Sequence, residues 1–260
     1  MSKSDATARF SDRVEAYVRS RPGYPTAVTD ELAATTGLSA GSAVADVGSG
    51  TGISTELFLR AGCTVFAVEP NAEMRAAAER LLGGRAGFHS VDGTAEATTL
   101  ADRAVDYVVA GQAFHWFDVP RTRREFARIL KPEGWCVLLW NTRAVDRSEF
   151  GRSYEALVRE FGTDYGTVRH ENIDPAQLRD FFDAGTYQSR AFPNEQRLDR
   201  ADWLARLESS SYLPGPGHAR HAAMSKSGDA LFDAHQRGGR ITIEYDTEIH
   251  FGRVTGAGGR

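Results

Sequence analysis

Asp46 is followed by three glycines at alternate positions, Gly48, Gly50 and Gly52, and Glu69 stands seventeen residues beyond the last of them. Each acid ends a short β-branched run. Ala43 to Val47 delivers Asp46 and a glycine turn that also carries Ser49 and Thr51, and Val65 to Val68 delivers Glu69, Pro70 and Asn71. Glycines let a backbone bend tightly and approach a ligand where a Cβ would clash. A carboxylate at the tip of the next strand can accept hydrogen bonds from both hydroxyls of a ribose. Together these residues describe a nucleoside site at the carboxyl edge of a parallel sheet. The spacing differs from the dinucleotide pattern G-x-G-x-x-G, because Ile53 stands where the third glycine would allow close helix packing.

A second candidate is His115, the only histidine expected on a strand-to-helix loop at that edge; it can take a proton from an acceptor or simply orient the loop beside Trp116. The other histidines, His89, His170, His218, His221, His235 and His250, lack metal-ligand spacing. No Cys/His cluster supports zinc, and no metal is expected. Cys63 and Cys136 read as buried small hydrophobes in a reducing compartment.

The elements that must position these groups alternate. A helix over Pro25 to Thr36 ends at Gly37. The glycine-loop strand, a helix over Ile53 to Ala61, a strand over Thr64 to Val68 and a helix over Asn71 to Leu82 follow. Phe88 to Val91 is a third strand. Ala104 to Ala110, with Tyr107, Val108 and Val109, is an almost continuous apolar run, as expected of a central parallel strand buried on both faces. Asp118-Val119-Pro120 opens a helix that Pro132 terminates, and Gly134 to Trp140 gives a fifth strand. This alternation implies right-handed crossovers and an α/β, doubly wound, Rossmann-like sheet. In the second half, Leu178 to Phe182 ends a helix, Tyr187 to Phe192 reads as a strand, Asp199 to Leu207 as a helix and Ala219 to His235 as a weaker one. Ile241 to Phe251 alternates like a half-buried antiparallel strand.

The chain has 260 residues, formal net charge −4 and pI about 6.0. No global basic field exists to hold a nucleic-acid backbone, and the local cluster Arg121 to Arg124 reads as the solvated face of a helix. The polar first residues lack a signal-peptide core, and no apolar run reaches transmembrane length. A cytoplasmic protein is expected, without membrane or nucleic-acid partners; a homodimer stays open. Three segments are expected: an arm and helix over 1–37 covering the cofactor, a core over 38–142, and cap helices with a closing hairpin over 143–260.

The pattern Asp-x-Gly-x-Gly-x-Gly with its following acid resembles motif I of class I S-adenosylmethionine-dependent methyltransferases. Phe10 to Tyr17 with Arg21-Pro22-Gly23-Tyr24-Pro25 resembles the N-terminal signature of small-molecule members near the trans-aconitate methyltransferase group. Gly93-Thr94-Ala95-Glu96 is similar to their adenine-binding turn, with Thr94 where an aspartate is common. Gln112-Ala113-Phe114-His115-Trp116 is similar to a pattern found after strand four, and Ser209 to Tyr212 to a motif of the variable half. The resemblance implies a seven-stranded, mostly parallel sheet with an antiparallel last strand, S-adenosyl-L-methionine as cofactor and methyl transfer to an oxygen, nitrogen or carboxylate of a small molecule. Implied cofactor contacts are Tyr17, Arg21, Asp46, Gly48, Ser49, Gly50, Thr51, Gly52, Glu69, Pro70, Met74, Thr94, Ala95, Glu96, Gln112 and Ala113. Asp46 would attract the ammonium, backbone N–H groups near the next helix would favour the carboxylate, and Arg21 would pair with it or anchor the arm. Met74 lies against the adenine or serves as core. Tyr24, His115, Trp116, Trp140 and Tyr212 would face the acceptor. A nicotinamide-dependent oxidoreductase and a non-catalytic sensor that binds the same cofactor are the rival readings.

Overall fold

The computed structural model describes residues 20–163, 175–210 and 212–256. Tyr17, the Phe10 to Tyr17 signature, His170 and Ser211 lie outside them. Helix α1 (Ala27–Thr36) ends where Gly37 turns left-handed at φ 81°. Then come β1 (Ala43–Val47), α2 (Ile53–Arg60), β2 (Thr64–Val68), α3 (Ala72–Leu82), β3 (Phe88–Val91), β4 (Val105–Gly111), α4 (Val119–Ile129) and β5 (Leu130–Arg143). The second half holds α5 (Glu149–Phe161), α6 (Pro175–Phe181), β6 (Gln188–Leu198), α7 (Arg200–Glu208), α8 (His221–His235) and β7 (Ile241–Gly252).

The seven strands form one sheet in the order β3-β2-β1-β4-β5-β7-β6. The pairs among β3, β2, β1, β4 and β5 are parallel; β7 runs antiparallel to both β5 and β6. The expected antiparallel last strand is therefore present, and β7 alone opposes the other strands. Chain order reverses between β1 and β4, the switch point at which an open α/β sheet leaves a crevice beyond its strand ends.

The two-residue alternation of the strands divides the core. Val108 and Ala110 of β4 pack with Ala45, Leu138 and Phe126 on one face, while Tyr107 and Val109 pack with Val44, Val137, Leu32 and Phe58 on the other. A third cluster belongs to the cap: Phe150, Tyr154 and Val158 of α5, Trp203 and Leu207 of α7, and Met224 and Phe232 of α8 pack on Ile241, Ile243 and Tyr245 of β7. Edge strand β6 is mostly exposed and carries Pro193 with Arg190, Glu195 and Arg197, features that discourage pairing with another sheet.

Two expectations are corrected. Helix α4 stops at Ile129, ahead of Pro132, because Leu130 is already extended and pairs with Val105. Arg123 is not part of a solvated face. It ion-pairs with Asp183 at 2.6 Å and donates to the carbonyls of Phe181 and Thr255, both at 3.0 Å. It thereby ties α4 to the end of α6 and to the chain beyond β7. Cys63 and Cys136 are buried free thiols. Among the described residues no helix is long and apolar enough to cross a membrane, and no cluster of potential metal ligands occurs.

Candidate functional site

All three loop glycines adopt left-handed backbone, with φ of 70° at Gly48, 56° at Gly50 and 90° at Gly52. Side chains with a Cβ rarely accept such angles. The loop is strapped to the next strand: Gly48 N–H and Ser49 N–H both donate to Val68 O, at 2.9 and 3.2 Å, and Gly52 N–H donates to Ser49 O at 2.9 Å. Gly50 N–H donates to Glu69 Oε2 at 2.9 Å. These four donors are committed to the protein, which narrows the expected use of backbone N–H groups for a ligand carboxylate.

Each glycine has its own reason. A Cβ on Gly48 would stand 2.8 Å from Ala113 Cβ and 3.3 Å from the Phe117 ring, so this position lets the turn after β4 approach the loop. A Cβ on Gly52 would stand 2.5 Å from Leu82 Cδ1; this glycine admits α3. Gly50 faces Met74, whose sulfur would be 3.6 Å from such a Cβ, an ordinary contact. Gly52→Ala is therefore expected to cost about 1–3 kcal/mol from strain and overpacking, read as a fall in denaturant midpoint. An unchanged midpoint would mean that Leu82 moves aside freely.

Glu69 is 7% exposed and held at both oxygens: Oε2 by Gly50 N–H, and Oε1 by Asn71 N–H at 2.8 Å. Burial raises its pKa against the opposing pull of those two N–H groups and of Arg75. Each oxygen keeps another lone pair for a ligand hydroxyl. Asn71 caps α3 by accepting from Glu73 and Met74 N–H, which fixes the backbone beside Glu69. Pro70 between them is exposed.

Asp46 is fully buried. Its Oδ2 accepts from Ser54 Oγ at 2.8 Å and Thr55 Oγ1 at 2.6 Å. Burial drives its pKa up to about 6, with Glu69 adding to the rise and the two hydroxyls opposing it. Asp46 Oδ1, Ser49 Oγ and Thr51 Oγ1 are buried without any hydrogen-bond partner. Buried polar atoms are nearly always satisfied, so three orphans within six consecutive residues suit a polar ligand group or ordered water. This set of donors and acceptors fits an adenosyl amino acid.

Across the switch point, Gln112 is a non-glycine at φ 56°, the kind of backbone strain that collects at binding sites. Its N–H donates to Leu139 O and its side chain to Asn141 O at 3.2 Å. Tyr24 reaches the same place, since a Cβ on Gly111 would stand 2.9 Å from its hydroxyl and 3.1 Å from Ser54 Oγ. His115 lies in a short 3₁₀ turn (Phe114–Trp116), half-buried, its ring 4.9 Å from that of Trp116. Ala113 and Phe114 are buried beneath the turn. The structure thus gathers Asp46, the glycine loop, Glu69, Met74, Gln112 and Tyr24 around one crevice.

Other expected contacts stand in different settings. Thr94 is exposed, in a tight turn where Thr94 and Ala97 exchange backbone bonds, and Ala95 is buried in the core. Glu96 Oε1 accepts from Asp118 N–H at 2.9 Å, at the start of α4. Arg21 is half-buried and donates to Ser209 O at 2.8 Å, holding the N-terminal segment to the cap. Trp140 is 3% exposed and packs edge-on against Phe114 and His250. Tyr212 is half-buried in the cap. Sequence reasoning missed Arg206, which is 4% exposed. The available signal was its place at i+3 from Trp203 and beside Leu207, inside the buried stripe of α7.

A methyltransferase domain model matches residues 45–138, from β1 into β5. The chain is 39% identical over 146 residues to an uncharacterized methyltransferase of Mycobacterium bovis, covering 55% of this chain and 56% of that one. It therefore spans just over half the length of that relative. An uncharacterized methyltransferase of Geobacillus thermodenitrificans is 30% identical over 155 residues, 56% of this chain and 71% of the relative. Among solved structures, a protein provisionally named a type II methyltransferase, from Anaeromyxobacter dehalogenans, shares the fold with TM-score 0.68 and 21% identity, over 90% of this chain and 98% of that one.

Proposed function

The chain belongs to the class I S-adenosylmethionine-dependent methyltransferases, and from that premise we propose that it transfers a methyl group to an oxygen, nitrogen or carboxylate of a small-molecule metabolite. The observation that carries this reading is the carboxylate of Glu69, locked by Gly50 N–H and Asn71 N–H at the tip of β2 beside the switch point. Bound S-adenosylmethionine supplies a methyl carbon already activated by its positive sulfur. The chain's own residues bind and align. Glu69 accepts from the two ribose hydroxyls, Asp46 Oδ1 faces the ammonium through water, and Met74 borders the adenine. Gln112 and Tyr24 line the way to the acceptor, and the apolar turn Ala113–Phe114 keeps water from it. Alignment in such a dry crevice lowers the barrier without covalent catalysis.

A carboxylate acceptor needs no base, whereas His115 at the mouth takes the proton of a hydroxyl or amine. His115→Ala is expected to slow transfer to such an acceptor by about 10²-fold or more with cofactor affinity unchanged. A single-turnover rate equal to wild type would return His115 to a role in loop packing. The reading as a whole is tested by calorimetry with S-adenosylmethionine, S-adenosylhomocysteine and NAD, followed by labelled-methyl transfer to a panel of acids, phenols and amines. Heat from NAD alone would refute it. Binding of the first two with transfer to any panel member supports it.

A further inference from the structure

A buried arginine without a carboxylate is expensive, because taking a guanidinium out of water costs several kcal/mol unless a charge repays it. Arg206 is such a residue. Its Nη1 donates to Ser210 Oγ at 3.2 Å, but its Nε has no acceptor. Among the described residues no carboxylate pairs with it. Tyr154, 0% exposed, lies in the same cluster with its hydroxyl unpartnered. The Arg143 guanidinium stacks 4.3 Å from the Tyr154 ring centre and ion-pairs with Glu155 at 2.6 Å. Glu155 is shared with Arg159. Burial raises the phenol of Tyr212, but Arg143, Arg206 and Arg21 together outweigh this and hold it below the ordinary tyrosine value. Among the described residues, this cluster sets Arg206 and Arg143 against the single buried carboxylate of Glu155.

The cluster borders the crevice. Arg143 ends β5 two residues after Asn141, whose carbonyl accepts from Gln112, and Tyr245 is the residue paired with Arg143 on β7. Tyr212, which faces the charges of Arg143 and Arg206, is half-buried.

We propose that Arg206, with Arg143 and the hydroxyls of Tyr154 and Tyr212, holds an anionic group of the methyl acceptor, a carboxylate or a phosphate. This specifies the acceptor class of the proposed transfer and rests on that reading. The guanidinium Nε and the Tyr154 hydroxyl supply donors on one anion, which discharges the unbalanced cation and satisfies two orphaned groups at once.

The test uses the full chain loaded with S-adenosylhomocysteine, titrated in a calorimeter with succinate, inorganic phosphate and, as a neutral control, glycerol. Succinate or phosphate is expected to bind and glycerol not to; which anion binds tells carboxylate from phosphate. Arg206→Met should weaken the anion about tenfold or more and leave S-adenosylhomocysteine affinity unchanged. Should that variant fail to fold, Tyr154→Phe decides, with a several-fold loss expected. Anion affinity equal to wild type in the folded variants, or no binding of either anion, overturns the proposal. Failure of S-adenosylhomocysteine itself to bind removes the cofactor reading instead, so the two failures are distinct.

Discussion

Glu69→Ala is expected to weaken S-adenosylhomocysteine binding by about 100-fold or more, because it deletes two hydrogen bonds to a charged acceptor, worth about 1.5–3 kcal/mol each. The same change strips Gly50 N–H and Asn71 N–H of their acceptors. The glycine loop and the start of α3 both loosen, and the ligand-free protein should also lose about 1–3 kcal/mol of stability. Glu69→Gln separates the contributions. Two backbone donors converge on this side chain, and an amide offers only one oxygen, so its NH₂ must face either Gly50 N–H or Asn71 N–H. The glutamine variant should therefore be nearly as poor a binder as alanine despite its equal size. Calorimetry on both variants, with circular dichroism to establish folding, gives the answer. Wild-type affinity in Glu69→Gln would show that the carboxylate charge is not what the ligand meets.

The parts of this site that were legible in the sequence are those where one residue type answers one local demand. Three glycines were needed because all three positions take left-handed φ, and strand β4 announced its burial on both faces by an apolar run interrupted at Asp106 alone. Such signals are local. The pairing partner of Glu69 was not legible, because its neighbour Gly50 lies nineteen residues away and meets it only once β1 and β2 are in register. The surroundings of Trp140 were hidden for a similar reason: a tryptophan near a strand end looks the same whether other elements pack on it or leave it open, and here Phe114 and His250 pack against it. Arg123 looked like one charge in a basic run until α6 and the end of β7 supplied carbonyls and a carboxylate. Arg206 was hidden because helix α7 also carries Arg200, which pairs on the surface with Asp229. Only the tertiary packing of the cap separates the exposed arginine from the buried one. Long-range packing thus decided the cap, while short-range backbone chemistry decided the cofactor crevice.

Asp46→Asn is expected to make the ligand-free protein more stable and a worse binder. Burial pushes the native carboxyl up to about 6, well above the ordinary aspartate range, so the folded state holds its proton more tightly than the unfolded chain. For an acid whose pKa is raised by folding, the cost is absent while both states are protonated. It grows as pH rises from about 4 to about 6 and is complete above that, where it amounts to about 3 kcal/mol. Asparagine does not titrate, and its oxygen can still accept from Ser54 and Thr55 in place of Oδ2. The advantage of the variant in Tm should accordingly be small at pH 4 and largest near pH 8, reduced by the two amide N–H donors left where Oδ1 was an orphan. Affinity for S-adenosylmethionine should move the other way, by about tenfold or more, since a charge-assisted contact to an ammonium is lost. Thermal melts of the two proteins across that pH range, set beside calorimetry, read both effects. A constant Tm difference from pH 4 to pH 8 would show that the buried acid is not what strains the fold, and undiminished affinity would take Asp46 out of the binding site. Both effects together would mean that the chain keeps a destabilising acid in its core because the ligand uses it.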